Sequence, residues 1–306
     1  MRFLLFPLIV LYSITGLSQK APVKFGDVTI DELKMTMYEK DSSAEAVILS
    51  DYGVSELRYN QSKGFQLHFE RVRRVKILTK EGLDWADFNI YLYNNTTDEE
   101  KISGLKAVTY NLENGKIVET KVKSESIIKE KYSENTSITK VTWPNVKIGS
   151  VLELTYSITS DFVFNFQDWE FQSKIPTIWS EYRTKIPEYY YYEKFMQGYV
   201  VLDVVEDSKS NSSITFSTRE RSEGYVTQST VSVDKVDYIE NRNRWVAKDV
   251  PAFKEEPFMT SETDFISKIN FELSYTRFPN SGTKQYMGTW ADINKSYLEV
   301  LGEEIR

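Results

Sequence analysis

Cysteine is absent from the 306 residues, and histidine occurs once. Without thiols the chain can form no disulfide, hold no lipid through a cysteine and offer no cysteine nucleophile. A single His68 leaves a serine triad only one possible base, and a zinc site would have to be built almost wholly from carboxylates. In FQLHFE, Phe65, Leu67 and Phe69 alternate with Gln66, His68 and Glu70, so His68 reads as a residue on the polar face of a strand. A basic stripe is also missing. The formal net charge is -7 with both signs interspersed, which argues against a nucleic-acid partner. The acidic run NNTTDEE, 94–100, lacks the ligand spacing of a calcium loop, and no metal or cofactor is expected.

Long apolar runs are scarce too. The one at the start, Phe3 to Ile14, follows Arg2, is interrupted only by Tyr12 and Ser13, and precedes Gly16-Leu17-Ser18. A short positive region, an apolar stretch and small residues at the cut describe a cleavable secretory signal over residues 1–18. The run is too short for a comfortable membrane span, so no integral membrane segment is expected. Loss of Arg2 with the signal leaves 37 basic against 45 acidic residues, a net charge of -8. An exported, acidic protein is expected.

What the chain has in quantity is strand pattern. A hydrophobic fraction of 41%, with 14% aromatics, is ample for a globular core. In VLELTYSIT, 151–159, Leu152, Leu154, Tyr156 and Ile158 alternate with Val151, Glu153, Thr155 and Ser157. KAVTYNL and KIVETKV flank Glu113-Asn114-Gly115, and Asn-Gly between alternating runs signals a hairpin. GYVVLDVVE, SSITFSTR, YVTQSTVSV and FELSYTR add further short segments, with turns expected at Lys80-Glu81-Gly82 and across Asp207 to Ser213. The expected fold is all-β, an antiparallel sandwich of immunoglobulin-like or larger two-sheet type. Phase breaks at one place: Arg71 and Arg73 occupy the face that Phe65, Leu67, Phe69, Val75 and Ile77 otherwise fill. Either a bulge near Arg71 restores the alternation, or the arginines pair with buried acids. Gly149, where the chain turns into its cleanest strand, is expected at positive φ.

Several segments together resemble a known family. VTWPNVKIGSVLELTYSIT, 141–159, is similar to a signature of the bacterial domain of unknown function 3857 (DUF3857), with Pro144, Gly149 and Glu153 at matching positions. RVRRVKILTKEGLDWADFNI resembles its strand and Lys-Glu-Gly turn, YNLENGKIVE its hairpin, and RWVAKDVPAFKEEPFM, 244–259, its Trp and Glu-Pro segment. The resemblance runs in family order over roughly residues 40–295. It implies a β domain over 19–287, at the N-terminus of a longer exported protein of the periplasm or cell envelope of a Gram-negative-type bacterium. In such proteins a transglutaminase-like domain of papain-like fold follows. Its triad has no cysteine to map onto here, so the implied role is a non-catalytic module that accompanies a peptidase domain.

The last stretch, GTWADINKSYLEVLGEEIR, reads as an amphipathic helix over 288–306. Thr289 is a good N-cap with Asp292 three residues later, and Trp290, Ile293, Tyr297, Leu301 and Ile305 share one face. The resemblance makes this a lead-in to the missing domain, with Trp290, Ile293, Tyr297 and Leu301 as contacts for it. An alternative function is a free-standing binding module for cell-surface glycan or peptide. Its candidate residues are Asp168, Trp169 and Glu170 in FVFNFQDWEFQ, and Tyr190 and Tyr192 in EYYYYEKF, where alternation turns Tyr190 and Tyr192 one way and Tyr189 and Tyr191 the other. Asp168 and Glu170 are the best local candidate for two catalytic carboxylates, but strand neighbours of this kind about 7 Å apart are commonplace. No catalytic residue is assigned.

Overall fold

The architecture comes from a computed structural model, which describes residues 21–221, 229–288, 294, 297 and 298. The signal segment 1–18 and most of the terminal helix lie outside the described residues. Among the described residues, fifteen strands follow the short helix α1 (Ile30–Lys34). They are β1 (Ala46–Asn60), β2 (Gly64–Ile77), β3 (Asp87–Tyr93), β4 (Lys101–Glu113), β5 (Lys116–Lys121), β6 (Ile127–Lys131), β7 (Thr136–Thr142) and β8 (Val151–Ser160). Then come β9 (Trp169–Glu170), β10 (Thr177–Pro187), β11 (Tyr190–Gln197), β12 (Val204–Arg221), β13 (Ser229–Val250), β14 (Lys268–Arg277) and β15 (Thr283–Gln285).

Eight strands form one large sheet in the order β12-β13-β10-β1-β2-β8-β4-β5. A three-stranded sheet, β3-β7-β6, and a smaller sheet of β11, β14, β15 and β9 make the second layer. The all-β sandwich is therefore observed, with one departure from antiparallel order: β1 and β10 run parallel, Ile48 opposite Thr177 through Glu56 opposite Lys185. Phe69, Leu152, Tyr156, Tyr182 and Trp245 of the large sheet join Ile90, Val141, Trp169 and Phe271 of the small sheets in a single buried cluster. Each large side chain so enclosed contributes about 1.5–3 kcal/mol relative to exposure.

Local chemistry explains the turns. Asn114 and Gly115 both adopt positive φ, 50° and 76°, and close the β4–β5 hairpin with Glu113 opposite Lys116. This is the two-residue turn that Asn-Gly favours. Gly149 has φ 91°, as its position before β8 requires. The turn expected across Asp207 to Ser213 is not there. These residues continue β12, paired from Asp207 opposite Asn243 to Ser213 opposite Asp237. Their polarity suits the outermost strand of a sheet, whose free edge faces water.

The phase break on β2 resolves by charge. Its register against β8 is uninterrupted, with Arg71 opposite Tyr156 and Arg73 opposite Leu154, so both arginines stay on the inner face. The irregularity lies instead on β1, between Ile48 and Ser50. It shifts the inward set of β1 from Ala46 and Ile48 to Asp51, Gly53, Ser55 and Leu57, and so delivers a carboxylate to the arginines. Asp51 accepts from Arg71 Nε and Nη2 at 2.8 and 2.6 Å. The Asp51 carboxylate holds the Arg71 guanidinium charged despite its burial, raising its pKa.

Candidate functional site

After β11 the chain turns through Gly198 at φ 83°. A Cβ there would overlap Ser267, so only glycine lets Ser267 Oγ approach and accept from the N–H groups of Tyr199 and Val200, both at 3.0 Å. The anchored segment forms one wall of a groove of about 640 Å³. Pro251, Phe253, Pro257, Phe258 and Met259, from the segment after β13, form the opposite wall. That segment is tied down by Phe253 N–H to Ser173 O at 2.8 Å and Gln172 Nε2 to Pro251 O at 3.2 Å. Two non-glycine residues have positive φ here, Asp249 at the end of β13 at 51° and Phe258 in the segment after it at 74°. Phe258 is fully exposed, Tyr199 is 92% exposed and Val201 85%. Phe258 is thus held out in water on a backbone it adopts only at a cost, with no packing return among the described residues.

A second cavity, of about 520 Å³, opens where β11 crosses the large sheet. Tyr190, Tyr191 and Tyr192 line it with Lys194, Asn241 and Asn243. Asn243 Oδ1 accepts from Lys194 Nζ at 2.9 Å and Thr184 Oγ1 at 3.2 Å, and its amide also donates to Asp207. Burial pushes the Lys194 ammonium pKa down, partly opposed by the Asp207 carboxylate, while the ammonium sits over the Trp245 ring at 5.5 Å.

The five ligand-binding candidates do not form one site. Trp169 is 1% exposed and stacks on Tyr182 at 5.0 Å, a core residue and not a surface aromatic. Asp168 Oδ1 accepts the N–H of Phe271 at 2.8 Å, tying β9 to β14. Burial raises the Asp168 pKa, and that hydrogen bond opposes the rise. Glu170, like Asp168, is exposed, and the buried Trp169 lies between them. Tyr190 and Tyr192 are largely buried yet reach the second cavity, with Tyr192 donating to Val163 O at 2.6 Å. The expected alternation fails at Tyr189, which precedes the strand and packs on Tyr238 and Phe278, leaving Tyr191 outward against Tyr275. Of the partner contacts, Trp290, Ile293 and Leu301 lie outside the described residues, while Tyr297 is helical and exposed. Among the described residues no cluster of His, Cys, Asp and Glu could hold a metal, and no helix is long and apolar enough to cross a membrane.

Sequence pattern does not reveal the groove: GYVVLDVVE reads as strand, and RWVAKDVPAFKEEPFM carries only the family resemblance. The available signal was Pro251 and Pro257, which stop strand pairing and leave Phe253, Phe258 and Met259 without a sheet face to fill.

A family model described as a domain of unknown function with solved structure, DUF3857, matches residues 66–254, more than half of the chain. The chain belongs to the DUF3857 family. Within the DUF3857 domain, Pro144, Gly149 and Glu153 are structural. Pro144 O accepts from Thr109 Oγ1 at 2.7 Å and Gly149 O from Lys76 Nζ at 2.6 Å. Glu153, fully buried, accepts from Arg74, Tyr110 and the N–H of Gly26. No curated protein matches. Among solved structures, the DUF3857 protein is similar to a candidate protease from Parabacteroides distasonis at 13% identity and TM-score 0.48, covering 74% of this chain and 39% of that one. Similarity to yeast LTA4 hydrolase is at 9% identity and TM-score 0.25, covering 65% and 28%. A candidate nutrient-binding protein from Legionella pneumophila is similar at 8% and 0.25, covering 65% and 67%. The chain thus spans well under half of the Parabacteroides protein, and likeness at this level says nothing of activity.

Proposed function

We propose that this DUF3857 chain is a non-catalytic, exported β module that docks on and positions a transglutaminase-like peptidase domain, through the apolar groove between Tyr199–Val201 and Pro251–Met259. Phe258 is the observation behind the reading. Exposed aromatics beside a groove, rimmed by Lys248, Lys254 and Glu256, have the make-up of a protein interface with a desolvated centre and a polar rim. The family resemblance supplies the partner's class, and the apolar leader supports export. The purified mature chain should bind a purified transglutaminase-like domain from a DUF3857 protein in a calorimetric titration. Tyr199→Ser with Phe258→Ser should weaken it at least tenfold at unchanged melting temperature. Absence of binding, or binding indifferent to both changes, would overturn the docking role, and peptide or amide turnover by the pure chain would overturn its non-catalytic character.

A second reading, a glycan- or peptide-binding module, rests on the tyrosine cavity with Lys194, Asn241 and Asn243. Tyrosine faces beside amides suit sugar rings and peptide backbones. Saturable binding of soluble envelope glycan fragments, lost in Asn241→Ala, would favour it.

A further inference from the structure

Two arginines reach the inner face of the sheet, and among the described residues one carboxylate, Asp51, meets them there. Asp51 is spent on Arg71, in a bidentate pair. Arg73 Nη1 lies 3.6 Å from Asp51 Oδ2, beyond hydrogen-bond length, and its buried Nε has no partner among the described residues. The Arg73 side chain is 12% exposed. Leaving the buried Nε donor of Arg73 unpaired is costly, and the guanidinium fork to which it belongs is shaped for a planar anion. Stacking against Phe88 at 5.3 Å and Trp85 at 6.0 Å offsets part of that cost and satisfies none of the donors.

Arg73 also lines a cavity of about 180 Å³ between the large sheet and β3, walled by Trp85, Phe88, Trp143, Leu152 and Leu154. On its other side it lines a tight space of about 30 Å³, where Thr177 Oγ1 is a second buried polar atom without a partner. Outer acids are present: Asp87 at the mouth of the larger cavity accepts from Thr142 Oγ1, and Glu170 lines the smaller space from the exposed side of β9. Both carboxylates are solvated, so the buried trio of Asp51, Arg71 and Arg73 keeps one positive charge in excess.

We infer that the cavity over Arg73 binds a carboxylate with a compact apolar body, the carboxylate on the Arg73 guanidinium and the body between Trp85, Phe88 and Trp143. The size is right. A dry cavity of about 150 Å³ accepts a benzene ring, so this one holds a single ring or branched side chain beside the charged end. Bidentate pairing gives the charge its specificity, and the indole walls give the body its affinity. A free aromatic acid and the C-terminal residue of a peptide share this chemistry.

Trp85 and Trp143 make the site its own reporter. Tryptophan fluorescence and calorimetry of the mature chain would be followed against benzoate and benzamide, and against the tripeptide Gly-Gly-Phe and its C-terminal amide. Benzoate should bind saturably, at least tenfold more tightly than benzamide. If the peptide acid binds more tightly than benzoate and its amide does not, the natural ligand is a peptide C-terminus; if benzoate alone binds, it is a small acid. Arg73→Met should abolish the acid–amide difference while Arg58→Met, on an exposed arginine, leaves it intact. Equal affinity for acid and amide in the wild-type protein, or no saturable binding of any of the four, overturns the inference without recourse to a variant.

Discussion

Lys76 Nζ donates to the carbonyl oxygen of Gly149 at 2.6 Å, and to that of Leu33 at 2.7 Å. The side chain is fully buried behind β2, so one ammonium ties the end of α1 and the turn before β8 to the sheet. No carboxylate among the described residues forms an ion pair with it. Burial therefore pushes its pKa down to about 8, with only a distant opposing effect from Glu32. The folded protein releases this proton near pH 8, whereas the unfolded chain holds it to about pH 10.5. Between those values the unfolded state binds more protons, and stability rises with pH. Urea unfolding should show a gain of about 1 kcal/mol from about pH 7.5 to 9, before tyrosines ionise to any extent. Lys76→Met should lose that slope; an identical slope in the variant would refute the assignment.

Gly149 itself tolerates no side chain for conformational reasons. At φ 91° a β-branched residue is strained even though open space surrounds the position, with only Lys76 Nζ nearby. Gly149→Val should destabilise by more than about 1 kcal/mol in denaturant melts, and an unchanged midpoint would contradict this.

Gly53 is constrained by contact rather than by φ. A methyl group there would overlap the Trp169 ring, which is held by stacking on Tyr182 and a hydrogen bond to Ser180. Gly53→Ala should cost about 1–3 kcal/mol, the usual range for overpacking. Near-ultraviolet circular dichroism should report the displaced tryptophan.

Asp51→Asn removes the carboxylate that pairs with Arg71 on the inner face. Breaking a buried pair leaves an uncompensated charge, and a loss of about 3–5 kcal/mol is expected. Arg71→Met in the same background should recover part of it, since the orphaned cation is then gone. Two independent, additive losses in a double-mutant cycle would show that the pair does not act as a unit.

Export makes a prediction at the other end of the chain. Mass spectrometry of the protein recovered from the expressing cell's envelope or medium should find the N-terminus at or near Gln19. Retention of Met1 in exported protein would remove the signal.

Much of the strand content was legible because alternation is a local property. Leu152, Leu154, Tyr156 and Ile158 mark the inward face of β8 without reference to anything else, and Asn114-Gly115 encodes its own turn. Gly149 at positive φ was equally readable from its place before a clean strand. Polarity misled at Asp207 to Ser213, because an outermost strand and a turn are both wet. The tyrosine run misled at Tyr189, because where a strand begins depends on β14, about 80 residues further on.

Thus the residues alone determined the class of fold, the inward faces of its strands, the chemistry denied by the missing cysteine and the presence of two arginines out of phase. Tertiary pairing decided the rest. Asp51 reaches Arg71 only because β1 slips between Ile48 and Ser50, and no pattern within β2 could show that. The apolar groove joins residues 199–201 to 251–259, and the cavity over Arg73 joins β2 to β3, the Trp143 turn and β8. Such sites arise where distant segments are brought together by burial of their apolar faces. The driving force is non-directional, so their composition is written in the packing and not in the order of the chain.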